Sequence, residues 1–527
     1  MDRLSFFRTF VNVNICAKSK FFMREPLLTT LCGVCVWSAW FACVAALGLN
    51  LAHAALPVVV SEALTKAGLP EDSIGLVIER VSDQRVLFSH QAERSFQTAS
   101  TIKLLTTAVA LERLGPVYRG RAELRSAAAI NGDVLQGDLV LRGVADADLN
   151  TAAFRGMLQS LRQQGVVEIA GDLLLDRSFF SPPRVDIGVP PFDESPEFQY
   201  NVIPDAILVN GNLIELTMLS TADGFTARMN QPLDRVVLAP AMTLVDGVCK
   251  DWEDVWKVPL VERAADDTIR VVIHGSYPKN CVATTRINVI ERTDFTDRLF
   301  RQLWREMGGR FSGVVREAAA PATSRILAEH RSRALPDILR DINKPSDNPL
   351  TRSLYLTMGS LAPNADASAT SAVRGEQVVR AWLRERGISD AGLVLDNGSG
   401  LSRTERLPPR LLADVLRTMN KSEWAPEFLS SLPIVGIDGT MRNRLKDSAA
   451  MGRARVKTGT LRDVVSVAGY VRNADGEWCI VVGLINHPQA SHQVARPVVD
   501  ALIEWLSQQP GPAVLPWWQR FFGGGND

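Results

Sequence analysis

Residues 97–115, QTASTIKLLTTAVALERLG, pose the question on which the rest of the sequence turns: whether Ser100 caps a helix or attacks a substrate. Ile102, Leu105, Val109 and Leu114 recur at roughly helical spacing, Thr98 stands where a cap would, and Gly115-Pro116 ends the helix. Ser100 and Lys103 are three residues apart, so they share one face of the first turn. That arrangement suits a capping serine beside a solvated lysine. It suits equally a nucleophile whose proton a neighbouring amine removes. Spacing alone does not decide, because Ser276 and Lys279 repeat it in SYPK.

The whole chain narrows the field. A length of 527 residues exceeds one ordinary core and predicts about two to four domains. With 46% hydrophobic and 22% charged residues the chain reads as globular rather than disordered. The 58 basic and 58 acidic residues cancel, so nothing in the charge argues for a nucleic-acid partner and none is expected.

At the N-terminus, Lys18, Lys20 and Arg24 precede a long apolar run, residues 27–51, followed by LAHAALP. Ala52-His53-Ala54 reads as a small-x-small cleavage site, so residues 1–54 are expected to be a signal peptide and the mature protein periplasmic. An uncleaved anchor is the alternative, since the run is long enough to cross a bilayer. Cys32, Cys35 and Cys43 do not form a lipoprotein box.

Four of the seven cysteines lie in or before the leader, which leaves Cys249, Cys281 and Cys479. In an oxidising compartment Cys249 and Cys281, 281 − 249 = 32 positions apart, are candidates to pair, and the sequence leaves the pairing open. Cys479, within WCIVVGLI, is expected to be a buried free thiol on a strand. No Cys/His cluster has zinc spacing, and His487 and His492 make no H-E-x-x-H pattern, so neither a metal nor a cofactor is expected.

Along the mature chain, SIGLVIERVSDQRVLFSH reads as a hairpin, and the Ser100 helix follows. A β-rich tract begins after Gly115-Pro116, with a turn at Asn131-Gly132-Asp133, a helix over residues 151–164 and a Pro-rich excursion around residues 181–198. From about residue 323 helices return, and the chain ends in a hairpin turning at Asn473–Gly476 and an amphipathic helix. The expected organisation is an α/β catalytic domain built from residues 55–117 and 323–510. A β-rich region, 118–322, is inserted into it and comprises two small domains, the inner one about 190–257. Residues 511–527 form an aromatic tail. Trp517, Trp518, Phe521 and Phe522 there invite a membrane-interface reading, against packing on the catalytic domain or disorder.

A nucleophilic Ser100 needs a base, a group to protonate the leaving amine, and donors for an oxyanion. Two later segments supply the residue types. Ser346-Asp347-Asn348 is the only S-x-N in the sequence, and Lys457-Thr458-Gly459, followed by Thr460, is the only K-T-G. Alone, each has an ordinary reading: Ser346 as a helix cap, Lys457 as an exposed edge-strand lysine. In order, Ser100-x-x-Lys103, Ser346-x-Asn348 and Lys457-Thr458-Gly459 resemble the three motifs of the penicillin-recognising serine enzymes.

The resemblance extends further. PIVGIDGTMRNRLKDSAAMGRARVKTGTLRDVVSVAGYV (433–471), LDNGSGLSR (395–403), YNVIPDAILVNGN (200–212) and GDLLLDRSFF (171–180) are similar to the exported D-alanyl-D-alanine carboxypeptidase/endopeptidases, the class C low-molecular-mass penicillin-binding proteins. Similarity covers about residues 57–508. The interval between the first two motifs, 346 − 100 = 246 residues, fits the large insert of that family. RGVADADLN (142–150) and Pro345 depart from the family's usual pattern.

The resemblance implies a serine β-lactamase/transpeptidase-like catalytic domain, an antiparallel sheet flanked by helices, acting on peptidoglycan stem peptides and acylated by β-lactams. It implies that Ser100 attacks and Lys103 takes its proton. Ser346 bridges Lys103 and Lys457, and Asn348 binds the substrate backbone. Lys457, Thr458 and Thr460 hold the terminal carboxylate, with Ser100 and Thr460 N–H groups as oxyanion donors beside Gly459. Arg403 is implied as an extra contact to the peptide. A β-lactamase and a non-catalytic peptidoglycan-binding protein of the same fold remain as alternatives, and the oligomeric state is not legible.

Overall fold

The computed structural model describes residues 56–363, 366 and 368–511. The expectations for the leader, its cysteines and the aromatic residues of the tail lie outside the described residues. The chain begins with helix α1 (Val58–Lys66), then strands β1 (Ile74–Arg80) and β2 (Val86–His90), the expected hairpin. A 3-10 turn (Ala99–Ile102) runs straight into α2 (Lys103–Leu114).

The β-rich tract follows. Strands β3 (Arg121–Ser126) and β4 (Leu139–Val144), helix α3 (Thr151–Gln163) and β5 (Leu173–Asp176) come first. Next are β6 (Ile214–Ser220), β7 (Phe225–Met229), β8 (Val236–Val245), β9 (Trp256–Arg263), β10 (Ile269–Pro278) and β11 (Val282–Ile287). Helix α4 (Arg292–Glu306), β12 (Val315–Glu317) and β13 (Arg325–Arg331) close the tract. Then come α5 (Leu335–Asn343), α6 (Asn348–Ser360), α7 (Ser371–Glu385), α8 (Pro409–Lys421) and α9 (Ala425–Ser431). Strands β14 (Ala454–Leu461), β15 (Val464–Arg472) and β16 (Trp478–Asn486) and helix α10 (His492–Gln508) finish the described chain.

Both ends of the chain build one antiparallel sheet, ordered β2-β1-β16-β15-β14. Period-two alternation sends Ile480, Val482 and Leu484 of β16 to one side, where α2 and α8 pack, and Val481 to the other, under α1 and α10. Apolar layers on both faces explain why these strands read as continuous hydrophobic runs. Cys479 is buried in this sheet as a free thiol, and burial pushes its pKa up to about 11. Glu79 of β1, fully buried, accepts two hydrogen bonds from Arg417 of α8 at 2.6 and 2.7 Å and so ties the sheet to its helical cover.

The inserted tract carries its own sheet, β12-β5-β4-β3-β13, with α3 and α4 beside it. Beyond it lie two three-stranded sheets, β7-β6-β11 and β8-β10-β9. Two boundaries differ from those read in the sequence. Strand β13 pairs with β3, so it stands on the insert's side of the 322/323 division, and its polar RILAEHR hides the pairing from a hydrophobic pattern. The inner sheets span residues 214–287 rather than 190–257, because β8 and β10 pair in parallel through a crossover that local turns do not announce. Cys249 and Cys281 are joined in a disulfide that fastens the 3-10 turn Cys249–Asp254 to the start of β11.

Candidate active site

Three segments meet at one end of the central sheet, each held by a local device. Ser100 sits in the 3-10 turn that opens α2, just after Ala99 in the left-handed region at φ 44°. Thr98 does not cap this helix as expected from the sequence. Its backbone is helical rather than extended, so its hydroxyl does not reach back to the first N–H groups. Its carbonyl is used instead, accepting from Thr101 Oγ1 at 2.8 Å and from Ser466 Oγ of β15 at 2.7 Å.

Asp347 caps α6, its carboxylate accepting the Leu350 N–H at 2.8 Å, and this sets Ser346 and Asn348 on either side of the helix start. Ser346 holds φ 68°, a left-handed conformation that a non-glycine residue keeps only when its surroundings impose it. The third segment is β14, the edge strand carrying Lys457, Thr458, Gly459 and Thr460. A Cβ on Gly459 would stand 2.8 Å from the Ser100 nitrogen, so only glycine lets this edge lie against the serine. Thr458 Oγ1 donates to Thr440 Oγ1 at 2.9 Å, and Thr460 is exposed at the rim.

The two lysines are fully buried, which settles their sequence alternatives: neither is a solvated side chain. Lys103 Nζ lies 3.0 Å from Ser100 Oγ and 2.7 Å from Asn348 Oδ1, and also bonds the Ser399 carbonyl oxygen. Burial lowers its pKa to about 7, outweighing the opposing pull of the Asp347 and Glu405 carboxylates. Burial likewise pushes the Lys457 amine well below its ordinary range, with the neighbouring Lys103 acting in the same direction. Lys457 Nζ donates to Ser346 Oγ at 2.8 Å and to the Thr458 carbonyl at 2.7 Å.

Ser346 therefore meets Lys457 but makes no hydrogen bond to Lys103. The direct link from Lys103 to the second motif is Asn348, a correction to the bridge the resemblance implies. The Asn348 amide nitrogen in turn donates to the Tyr200 carbonyl at 3.2 Å.

Ser100, Ser346, Asn348, Arg403 and Thr460 line one cleft of about 400 Å3, whose far wall is Phe192, Asp193 and Tyr200. Arg403 lies over the Phe192 ring, 4.5 Å from its centroid. Ser399, Glu405, Thr440 and Ser466 were not singled out in the sequence. Ser399 and Ser466 act through contacts with residues about 300 or more positions away, Glu405 through contacts inside its own loop and Thr440 through one with Thr458 of β14, none of which motif spacing reveals. Among the described residues no cluster of three or more His, Cys, Asp or Glu could hold a metal ion.

A serine in the turn that opens a helix, a buried amine against it and an edge strand alongside, on an antiparallel sheet between helices, define the serine β-lactamase/transpeptidase-like class. Comparison with known proteins places the chain within that class. A profile of the D-Ala-D-Ala carboxypeptidase 3 (S13) family matches residues 57–509, and the chain belongs to that family: it is a serine-type D-Ala-D-Ala carboxypeptidase. It is 27% identical over 425 residues to the D-alanyl-D-alanine carboxypeptidase DacB of Haemophilus influenzae, covering 79% of this chain and 86% of that one. It is also 27% identical over 456 residues to the D-alanyl-D-alanine carboxypeptidase of Actinomadura sp. strain R39, covering 83% of this chain and 81% of that one. The crystal structure of penicillin binding protein 4 (dacB) from Haemophilus influenzae shares the fold, with a TM-score of 0.70 at 23% identity over 86% of this chain and all of that one. That protein has also been solved in complex with a β-lactam.

Proposed function

We propose that this carboxypeptidase works through an acyl-enzyme on Ser100, releasing the terminal D-alanine of peptidoglycan stem peptides in the periplasm. One observation carries the mechanism: the set of partners around Lys103. The Ser399 carbonyl and the Asn348 Oδ1 can only accept hydrogen bonds. A neutral amine, favoured by a pKa of about 7, has two N–H groups for them, and its lone pair is left for the Ser100 hydroxyl 3.0 Å away. Ser100 Oγ then attacks the carbonyl of the penultimate D-alanine as its proton passes to Lys103.

The N–H groups of Ser100 and Thr460, beside the close approach at Gly459, stabilise the resulting oxyanion, each for roughly 3–4 kcal/mol. Ser346, held by Lys457, is placed to hand a proton to the leaving nitrogen. The proton that Lys103 gained then passes to the Ser346 oxygen, so that the net transfer is one proton from Ser100 to the leaving nitrogen and Lys103 is neutral again. Lys457, Thr458 and Thr460 receive the terminal carboxylate, whose arrival supplies the buried Lys457 amine with a counter-charge. Asn348 and Arg403 contact the peptide. Water releases the acyl group, and a β-lactam acylates Ser100 in the same way but leaves slowly.

Endopeptidase action on cross-linked stems is supported by a second space. The cleft shares Tyr200, Ser346 and Asn348 with a groove of about 840 Å3 that runs to Thr284 and Arg286 of the insert, so a larger leaving group finds room. Export is supported by the leader and by the Cys249–Cys281 disulfide, a bond of oxidising compartments. The test is D-alanine release from a synthetic stem pentapeptide, and cleavage of a cross-linked dimer, by the wild type and by Ser100→Ala. Both activities are expected in the wild type and neither in the variant; release by Ser100→Ala would refute the mechanism.

A further inference from the structure

Glu405 is fully buried, and no cationic side chain is among its hydrogen-bond partners. One oxygen accepts the N–H groups of Asp396 at 3.1 Å, Asn397 at 2.9 Å and Gly398 at 2.5 Å; the other accepts that of Gly400 at 2.7 Å. A single carboxylate thus gathers four backbone donors of one short turn. Burial raises the pKa of this group, and the four N–H donors act against burial by favouring the ionised carboxylate, an acceptor at every position. Asn397 closes the turn from within, its Oδ1 accepting from Ser399 N at 3.1 Å and Ser399 Oγ at 2.5 Å.

The carbonyls of the same turn face α2. The Gly398 oxygen accepts from Thr106 Oγ1 at 2.6 Å, and the Ser399 oxygen accepts from Lys103 Nζ. Gly400, at φ +83°, packs so tightly on the Ala99 carbonyl that a Cβ there would collide with it. The turn is therefore clamped at one end by Glu405 and pressed at the other against the residue before Ser100.

A lysine amine rotates freely about its Cε–Nζ bond, so its lone pair points wherever its two N–H groups leave it. Asn348 Oδ1 takes one N–H group. The other is fixed only if the Ser399 carbonyl stays in place, and that carbonyl has no anchor except its turn. We propose that Glu405 is a positioning residue for acylation: its carboxylate holds the 396–400 turn so that the Ser399 carbonyl takes one N–H of Lys103 and leaves the lone pair aimed at Ser100 Oγ. The inference rests on the reading of Lys103 as base.

Glu405 also acts through charge, because with Asp347 at the start of α6 it favours the protonated form of Lys103, while Lys457 on β14 is the neighbouring amine, each ammonium disfavouring the other. Arg352 and Tyr355 of α6, and Asp396 within the turn, are the other titratable groups that feel Glu405.

Two variants test the proposal. Glu405→Gln keeps the shape but offers an amide N–H2 where an N–H must be accepted, and it removes the charge. Asn397→Ala loosens the turn and leaves the charge alone. The readouts are the second-order rate of acylation by a chromogenic β-lactam across about pH 5 to 9, the KM for a stem pentapeptide, and thermal unfolding. Glu405→Gln is expected to lose about 100-fold in the plateau rate with little change in KM. Its rate should also begin to rise at lower pH than in the wild type, because a carboxylate favouring the ammonium is gone. Asn397→Ala is expected to lose about 10-fold with the pH limb unmoved.

A folded Glu405→Gln with the wild-type plateau and limb overturns the proposal. If that variant does not fold, Asn397→Ala acylating at the wild-type rate overturns it. A merely structural role would lower the melting temperature and leave the limb where it is. Failure of the underlying reading looks different: the wild type itself would then show no limb near pH 7.

Discussion

Strand β15, VVSVAGYVR, and strand β9, WKVPLVER, draw on the same branched apolar residues and end in opposite environments. Eight of the nine residues of β15 are buried, against two of eight in β9. β15 lies between β14 and β16 with helices on both faces, whereas β9 is the edge of a three-stranded sheet, interrupted by an irregularity between Lys257 and Leu260. Burial here follows position in the sheet more than composition. The difference explains where the chemistry sits. Only a closed core holds two lysine amines out of water and lowers their pKa; the outer sheets carry charge and exposed Val258, Leu260 and Val261, and are fastened by a disulfide.

The contrast breaks most severely at Lys103. Lys103→Ala is expected to slow acylation by about 10²–10⁴-fold, measured by stopped-flow with a chromogenic β-lactam. In the proposed mechanism the neutral amine is the working form, so the rate should fall as pH drops through about 7 and level off above it. A flat profile would remove Lys103 from the role of base.

Removing the disulfide by Cys249→Ala with Cys281→Ala should cost the insert about 3–4 kcal/mol, read by denaturant unfolding or limited proteolysis. Acylation at Ser100, which the disulfide does not touch, should stay within about twofold. Coupled loss of both would show that the insert is not an independent layer around the core.

The smallest effects sharpen the contrast between the sheets. Ile480→Val, at a fully buried position of β16, is expected to cost about 0.5–1.5 kcal/mol. Leu260→Val, on half-exposed β9, should stay within about 0.5 kcal/mol in the same denaturant titration. Equal costs would mean that the outer face of β9 is covered in solution.

The same division governs what the sequence could disclose. The central hairpins, α2 and the three motifs were legible because each rests on local spacing: Ser100 to Lys103 within one helical turn, Lys457 to Thr460 along one strand. The insert was legible as β-rich but not in its pairing, since β13 joins β3 across about 200 residues of chain and reads locally as a polar connector. At the site, Asn348 rather than Ser346 bonds Lys103, a choice made by side-chain reach at the start of α6 and invisible in the letters S-D-N. Ser399 stood within a family-like segment and Glu405 two residues beyond it, yet what matters is the contact of the Ser399 carbonyl with Lys103 of α2, about 300 positions away, and the turn that Glu405 holds behind it, which one sequence does not record.

The most direct test of the central claim is intact-mass spectrometry of the purified protein with and without benzylpenicillin, beside Ser100→Ala. The expected result is a gain of one penicilloyl unit in the wild type and none in the variant. No adduct on the wild type with the drug left intact, or an equal adduct on Ser100→Ala, would contradict Ser100 as the nucleophile.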